Sequence, residues 1–190
     1  REVLPETSRA TQAFAKTTPT LSDLGPRFDL MDKFPDVAQV LTLAGPVEAA
    51  GRLTSADVAR ITNDGLAGLV ADHPHRFAGA VASLPLDNMD AALVEAERAL
   101  GELGLQGVEV FTPCHGRPLD DPGLFPLYEM MVEVDLPIWI HPRRELKPDY
   151  ETEERSKYRV FGMWGWPYET TVAMTRLVFG GVLEKFPELK

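Results

Sequence analysis

Short apolar segments that are typical of strands alternate along this chain with longer amphipathic segments that are typical of helices. The predicted strands start near Val37, Phe77, Leu105 and Leu136, and a helical pattern follows each of them. Alternation of this kind predicts a parallel β-sheet with right-handed helical crossovers, which is the α/β class. No internal sequence repeat underlies the alternation, so a solenoid is not expected.

Two closures of such a sheet remain open at this point, an open doubly wound sheet and a (β/α)8 barrel. A barrel typically needs about 250 residues, whereas this chain has 190 residues and four predicted strands, with Leu189-Lys190 resembling the start of another. We therefore predict a single domain over residues 1–190 that is an incomplete barrel, comprising about strands 2 to 5 with their helices. Residues 1–26, which are rich in Thr, Ser and Pro, are predicted to be a loop region.

Composition limits the classes of partner. The net charge of -10 makes nucleic acid and an acidic membrane surface unfavourable partners. The single cysteine, Cys114, excludes an internal disulfide and suits a reducing compartment, so a cytoplasmic location is expected. No apolar run approaches the roughly 20 residues of a membrane span, and no signal-peptide pattern is visible, so neither a membrane partner nor secretion is expected.

His141 occupies the most informative position in the sequence. The stretch Asp135–Pro142 predicts a parallel strand buried on both faces, because its apolar residues favour strands: Leu136, Ile138, Trp139 and Ile140. His141 then stands at the carboxyl end of the strand, where parallel α/β folds place binding and catalytic groups. Since imidazole is also the commonest side-chain metal ligand, two interpretations remain, a metal ligand and a hydrogen-bonded histidine at a strand end.

Three other features admit both a functional and a structural interpretation. His73 and His75 form a His-x-His pair, but they precede a predicted strand at its amino end, which favours a structural role over metal binding. His115, in the loop after a predicted strand, is interpreted as a solvated residue, with substrate contact or an acid-base role as the alternatives. Gly180-Gly181 falls inside the predicted last helix, so close helix packing is favoured over phosphate binding.

One arginine and a group of aromatic residues are candidates for substrate binding. Phe161, Trp164 and Trp166 cluster in or just after a long connector that begins at Arg143 and lacks periodicity. They either wall a substrate pocket, with Trp164 as a binding residue, or pack as a plug on the rim of the sheet. Arg27 is either a surface cation or a fork that binds a substrate carboxylate through two hydrogen bonds.

Several stretches, taken in their order and spacing, resemble the amidohydrolase-related (amidohydrolase 2) family, which includes aminocarboxymuconate-semialdehyde decarboxylase and gamma-resorcylate decarboxylase. The resemblance covers nearly all of residues 27–190. The matching stretches are Arg27 with Met31-Asp32 and Gln39-Val40-Leu41, Asp72-His73-Pro74-His75-Arg76-Phe77, Leu105-Gln106-Gly107-Val108, Leu119-Asp120-Asp121, Ile138-Trp139-Ile140-His141-Pro142, Pro167-Tyr168-Glu169-Thr170-Thr171, and Phe179 through Pro187.

The resemblance implies a metal-dependent (β/α)8 barrel with one divalent ion, usually zinc and in some decarboxylases manganese. Its ligands are a His-x-His or Glu-x-His on the first strand, a histidine that ends a middle strand, and a late aspartate. His141 matches the middle-strand ligand, and Arg27 matches an arginine that binds a substrate carboxylate in the semialdehyde decarboxylase branch. The other ligands and the catalytic histidine would lie before Arg1 or after Lys190, so no catalytic acid or base is assigned within the chain.

The resemblance therefore implies a cytoplasmic metal-dependent decarboxylase, a carbon–carbon lyase, that acts on an aromatic or muconate-type carboxylic acid. A bound cation that polarises a neighbouring oxygen lowers the barrier to loss of CO2. Two alternatives remain: a lactonase-like hydrolase on the same scaffold, and a catalytically inactive fragment. The expected partner is a small carboxylic acid; a homodimer is compatible with barrels of this size, although no sequence feature marks an interface.

Overall fold

The computed structural model describes residues 16–49, 53–143 and 148–190, and strands and helices alternate along them as the sequence predicts. The strands are β1 (Gln39–Leu41), β2 (Phe77–Ala80), β3 (Ala82–Ser83), β4 (Val108–Thr112) and β5 (Ile138–Pro142). The helices are α1 (Leu24–Met31), α2 (Ser55–Asp72), α3 (Met89–Gly101), α4 (Phe125–Glu133), α5 (Trp166–Phe179) and α6 (Val182–Lys185). Short 3₁₀ turns occupy Pro19–Leu21, Val47–Ala49 and Pro122–Leu124, and a π-helical segment occupies Phe161–Gly165. Within the described ranges, none of the helices combines the length and apolar character needed to cross a bilayer.

The chain divides into two compact units, and each contains a pair of parallel strands. The first unit comprises Arg1–Pro85 and Val94–Gln106, and the second comprises Leu86–Leu93 and Gly107–Lys190. In the first unit β1 pairs with β2, with a register shift at the start of β1. In the second unit β4 pairs with β5 without a shift, from Val108 opposite Ile138 to Thr112 opposite Pro142. Parallel strand pairs between helices confirm the α/β class.

The first unit has a polar cluster in its core. Asn63 of α2 is fully buried. Its Nδ2 donates to the Ser83 carbonyl at 3.0 Å and to Glu95 Oε1 at 2.7 Å, and its Oδ1 accepts from the Ser83 N–H at 2.9 Å. Glu95 also accepts hydrogen bonds from Arg98, which binds Asp64 at 2.7 Å. These carboxylates raise the pKa of Arg98, and the cluster joins α2 to β3 and α3.

The second unit packs its core around β4 and the aromatic residues of α4. Val108 and Val110 of β4 are fully buried. Tyr128 of α4 is also buried, and its hydroxyl donates to the Leu119 carbonyl at 2.5 Å. Burial is the main cause that raises the pKa of this tyrosine. The Phe186 ring contacts Tyr128 edge-on, with centroids 5.9 Å apart, so the end of the chain closes this core.

The burial predicted for the strand that ends in His141 is wrong. Val108 and Val110 of the neighbouring β4 are fully buried, whereas Ile138 and Ile140 of β5 are partly exposed and Trp139 is 43% exposed. The reason is that β4 covers only one edge of β5 along its length. At the start of β5 the Ile138 N–H donates instead to the Lys190 carbonyl at 2.8 Å.

The last predicted helix, which was expected to continue through Gly180-Gly181, is broken at these two glycines. α5 ends at Phe179, and Gly181 adopts a left-handed φ of 75° before α6 begins at Val182. A left-handed residue terminates an α-helix, and glycine is the residue that adopts it most easily. The backbone at Gly180 is closely packed, because a Cβ at this position would lie 2.6 Å from the Arg176 carbonyl oxygen.

Helix α1 begins inside the segment predicted as a loop. Residues 1–15 of that segment lie outside the described part of the chain. Asp23 caps the helix, because its carboxylate accepts a hydrogen bond from the Gly25 N–H at 2.9 Å. Pro26 stands in the first turn, where its missing N–H leaves no helical hydrogen bond unmade.

Candidate metal and substrate site

His141 lies at the carboxyl end of β5, one residue before its last residue Pro142, as the sequence predicts, and its imidazole is oriented by its own strand. The ring is partly exposed and lies against Phe111 of β4, with centroids 4.7 Å apart. Its Nδ1 lies 3.0 Å from the Pro142 carbonyl oxygen. When Nδ1 carries the proton and donates to that carbonyl, the lone pair of Nε2 is left for a metal ion. The geometry therefore suits a ligand that binds through Nε2.

The register of the strand pair places three other side chains on the same face as this imidazole. Phe111 stands opposite His141, and Glu109 stands opposite Trp139. Side chains alternate along a strand, so these residues of β4 and β5 share one face. Glu109 is only 4% exposed, and sequence reasoning did not select it. The sequence feature that could have identified Glu109 is its position as a carboxylate in the middle of an apolar strand, because burying a carboxylate is unfavourable unless polar contacts compensate.

The metal expected from the sequence is compatible with His141 as one ligand. Over residues 16–49, 53–143 and 148–190, no group of three or more His, Cys, Asp or Glu side chains is arranged to hold a metal ion. Catalytic zinc sites typically use three protein ligands and leave one position open. The role of His141 as one such ligand stays a prediction.

Arg27 lies on α1 in the first unit and is partly exposed. Its Nε donates to the Thr20 carbonyl at 2.8 Å, and its guanidinium carbon lies 6.0 Å from the centroid of the Phe77 ring. The bond to Thr20 fixes the plane of the guanidinium and leaves the two terminal nitrogens with the spacing that suits a carboxylate. Its role in binding substrate stays a prediction.

Trp164 and Trp166 occupy different environments. Trp164 lies in the π-helical segment and is 72% exposed, and its role in substrate binding also stays a prediction. Trp166 opens α5, contacts Phe161 edge-on, and forms the aromatic wall of an open groove of about 750 Å³. The other residues that line the groove are Pro142, Gly162, Pro167, Thr170, Thr171, Met174 and Thr175. Sequence reasoning found the aromatic cluster, but the π-helical turn changes the helical phase and so decides which ring faces the groove.

His73 packs among aromatic rings of the first unit. Its ring lies edge-on to Phe28, with centroids 4.9 Å apart, and edge-on to Phe77 at 6.1 Å. Arg76 forms an ion pair with Asp32 and lies over the Phe28 ring. These contacts agree with the structural role that the sequence favoured for this histidine.

The loop after β4 forms a tight two-residue turn. The Cys114 N–H donates to the Arg117 carbonyl at 2.9 Å, and the Arg117 N–H donates to the Cys114 carbonyl at 2.8 Å. His115, with φ 51°, and Gly116, with φ 75°, occupy the two central positions. Positive φ at both positions is the signature of a type I′ turn. The turn presents an exposed imidazole at its tip, directly beyond the carboxyl end of β4.

Comparisons with known proteins agree on a family. The family model described as Amidohydrolase matches residues 20–190. The 2-amino-3-carboxymuconate-6-semialdehyde decarboxylase of Dictyostelium discoideum is 34% identical over 134 residues, covering 70% of this chain and 36% of that protein. The gamma-resorcylate decarboxylase of Polaromonas sp. is 34% identical over 176 residues, covering 86% of this chain and 52% of that protein.

A solved structure of a related enzyme has the same fold. The dihydroxybenzoic acid decarboxylase of Polaromonas sp., with bound manganese and the inhibitor 2-nitroresorcinol, superimposes with a TM-score of 0.62 at 27% identity. The match covers 87% of this chain and 52% of that one. The chain thus spans between about a third and a half of the length of these relatives.

Proposed function

The chain belongs to the amidohydrolase family, and from this membership we propose that it is part of a metal-dependent decarboxylase of an aromatic or muconate-type carboxylic acid. The observation that carries the proposal is His141, which ends a parallel strand with Nδ1 directed at the Pro142 carbonyl and Nε2 available to a metal ion. Decarboxylases among the relatives, one of them with bound manganese, support this chemistry.

We place the chain in a single (β/α)8 barrel domain, to which residues 1–190 contribute about strands 2 to 5. The outer edge of β5 supports this architecture. The Val108 N–H donates to the Pro137 carbonyl and the Arg143 N–H donates to the Thr112 carbonyl, so the backbone polar groups of Pro137 and Arg143, which flank β5, point toward β4. Because successive residues of a strand direct these groups to opposite edges, those of Ile138 point to the edge away from β4. There its N–H donates to the Lys190 carbonyl, as in the first hydrogen bond to a further parallel strand.

A divalent ion, zinc or manganese, would supply Lewis-acid polarisation of a substrate oxygen when bound. His141 would hold this ion through Nε2, with the Pro142 carbonyl keeping the imidazole ring in orientation. Arg27 binds the substrate carboxylate through its terminal nitrogens while its Nε is held by Thr20. Trp164 contributes an exposed aromatic surface to the substrate. We place the remaining ligands and the acid-base groups outside residues 1–190.

The proposed substrate is a small carboxylic acid, and neither nucleic acid nor a membrane is a proposed partner, given the net charge of -10. A cytoplasmic location is part of the proposal and rests on the lone Cys114. We propose a homodimer as the assembly, and this part of the proposal rests on one argument, that barrels of this size are compatible with dimers.

The test uses the full-length protein and its His141→Ala variant. We expect the unmodified protein to hold one divalent ion per chain by elemental analysis and to release CO2 from gamma-resorcylate. His141→Ala should lose both the ion and the activity. Its circular dichroism spectrum and its urea midpoint without metal should match those of the metal-free parent, because the ring is partly exposed and its Nδ1 bonds a carbonyl of its own strand.

A matched control is His75→Ala, which removes an exposed imidazole from the first unit. This variant should keep both the metal and the activity. Stoichiometric metal in His141→Ala would refute the ligand role. Opening of a lactone without release of gas would replace the decarboxylase by the hydrolase, and a full-length protein with no metal and no activity would support the inactive fragment.

A further inference from the structure

We propose that the outward face of α5, formed by Tyr168, Thr171, Thr175 and Phe179, is the surface through which two copies of this protein associate as a dimer. The inference rests on the homodimer of the proposed function and assigns a surface to it. The four residues recur at spacings of three, four and four positions, so they follow one side of the helix. Phe179 is 86% exposed and Tyr168 is 60% exposed.

The outward face lies opposite the side of α5 that packs on the core of the second unit. Ala173 and Leu177 are the buried residues of the helix. Thr171 and Thr175 each stand two positions from Ala173, which places them about 160° around the helix from it. In the barrel that we propose, each helix turns one side to the strands and its flanks to the neighbouring helices. A further helix of the barrel would therefore cover a flank of α5 and not the outward face.

The outward face carries no charge, unlike the exposed side of the other helix in this unit. α4 exposes Glu129 and Glu133, as is typical of a helix that faces solvent. The charged residues of α5 are Glu169, which is partly buried, and Arg176, which donates to Asp120 at 2.7 and 2.9 Å. Neither belongs to the outward face. An exposed helix side with aromatic rings and without charge is typical of an interface.

The size of the outward face is that of a large part of a dimer interface. The Thr171 hydroxyl donates to the Pro167 carbonyl of its own helix at 2.8 Å, so an apolar surface can cover it without leaving this donor unsatisfied. Together with Val178, which is 53% exposed, the face presents roughly 500 Å² per copy, since one aromatic side chain alone buries about 200 Å². A standard interface buries about 800 Å² per partner, so this face supplies more than half of the area needed.

A second copy of the chain is the occupant that matches this face. A two-fold axis brings the same patch of both copies together. With the two α5 helices antiparallel and crossing near Ala173, Tyr168 of each copy meets Phe179 of the other, and the small threonines between these rings allow close approach. Each chain carries a net charge of -10, so two copies repel each other wherever carboxylates meet. An uncharged face brings no carboxylates together.

The test measures self-association of the full-length protein by analytical ultracentrifugation. We expect a dimer at micromolar concentration. Phe179→Glu should raise the dimer dissociation constant about 100-fold or more, because each interface would bury two unpaired carboxylates. Phe34→Glu is the matched control, since it also replaces an exposed phenylalanine, 57% exposed, and changes the net charge equally, but in the first unit. This control should remain dimeric.

Thr175→Glu provides a second variant for the case in which Phe179→Glu does not fold. Thr175 is exposed in the interior of α5, and glutamate favours a helix more than threonine does. The circular dichroism spectrum of Thr175→Glu should therefore match that of the parent, while its dimer dissociation constant rises as in Phe179→Glu.

The outcomes separate this inference from the decarboxylase. A monomeric parent that binds metal and releases CO2 would overturn the interface and the homodimer and leave the proposed chemistry intact. A folded Phe179→Glu or Thr175→Glu that stays dimeric would also overturn the interface, and a lowered urea midpoint in such a dimer would assign the face to another part of the same chain. A parent that dissociates through these variants but has neither metal nor CO2 release would support the interface and overturn the decarboxylase.

Discussion

In the first unit the polar side chains of Asn63 and Glu95 lie in the core, whereas in the second unit the imidazoles of His115 and His141 lie at the surface. Asn63 makes three hydrogen bonds to protein groups, and Glu95 is bonded to Asn63 and Arg98. The His141 ring, by contrast, has its Nδ1 3.0 Å from the Pro142 carbonyl oxygen of its own strand.

The contrast separates two uses of polar groups in one kind of strand–helix architecture. A polar group that is buried and fully bonded specifies packing, and its loss leaves partners unsatisfied in a medium of low dielectric. A polar group that stands at a strand end with an atom turned toward solvent is available to a ligand. We therefore expect substitutions of buried, hydrogen-bonded polar groups to change stability, and substitutions of polar groups at strand ends to change binding.

The largest effect on stability is expected for Asn63→Ala. The change removes three hydrogen bonds and leaves the buried Ser83 N–H and a Glu95 oxygen without this partner. We expect a loss of about 3 kcal/mol in the free energy of unfolding, measured by urea denaturation. Metal content and the KM should not change in the remaining folded protein.

The control for this variant is Asn88→Ser. Asn88 is exposed and caps α3, since its Oδ1 accepts from the Ala91 N–H at 3.2 Å, and serine keeps a cap. A loss below about 1 kcal/mol in Asn63→Ala would show that the buried cluster contributes less than its hydrogen bonds indicate.

A smaller loss is expected for Gly180→Ala in the second unit. The new Cβ would lie 2.6 Å from the Arg176 carbonyl and 2.9 Å from a carboxylate oxygen of Asp120, so the end of α5 and the loop after β4 must shift. We expect a loss of about 2 kcal/mol by urea denaturation. Gly101→Ala is the matched control, because no atom outside its own neighbourhood in the helix lies within 4 Å of the Cβ that alanine would add. Equal effects of the two changes would refute the close approach at Gly180.

The smallest effect is expected for Tyr128→Phe, which removes the hydroxyl that donates to Leu119. We expect a loss of about 1 kcal/mol at neutral pH. Burial raises the pKa of Tyr128 in the folded protein above the value of about 10 that holds in the unfolded chain. The neutral phenol therefore favours the fold, and this contribution is complete below about pH 10 and is lost as the pH rises further.

Urea midpoints measured from pH 8 to pH 11 provide the test. The parent should lose stability above about pH 10 more steeply than Tyr128→Phe, because only the parent has this phenol to ionise on unfolding. Tyr150→Phe, at an exposed position, should follow the parent curve at every pH. A parallel decline of the parent and Tyr128→Phe would show that burial of this hydroxyl does not govern the alkaline limb.

The sequence predicts the parts of this molecule that depend on neighbouring residues in the chain. The apolar stretch Asp135–Pro142 is enough to predict a strand that ends at His141-Pro142, and β5 ends there, although it begins at Ile138 and not near Leu136. The burial of the same strand was mispredicted, because it depends on which edge is covered. The break at Gly181 was missed because a left-handed φ is not visible in a helical pattern of apolar residues.

The polar core of the first unit was missed for a related reason. Asn63 stands in an amphipathic helix, where a polar residue ordinarily faces solvent. Its partner Glu95 is 32 residues away in the chain, so only tertiary structure reveals that the two meet. Trp166 was found as part of a cluster, but its place in the groove depends on the π-helical turn before α5.

The hydrogen-bond acceptor that orients His141 is a main-chain atom of the very next residue. Histidine ligands in many metal sites depend on a carboxylate from elsewhere in the fold, and a single mutation can remove that support. Here every amino acid at position 142 would supply the same carbonyl. The orientation of this imidazole therefore does not depend on which side chain stands at position 142, and if His141 is the ligand that we propose, the surrounding loops could change without redirecting it.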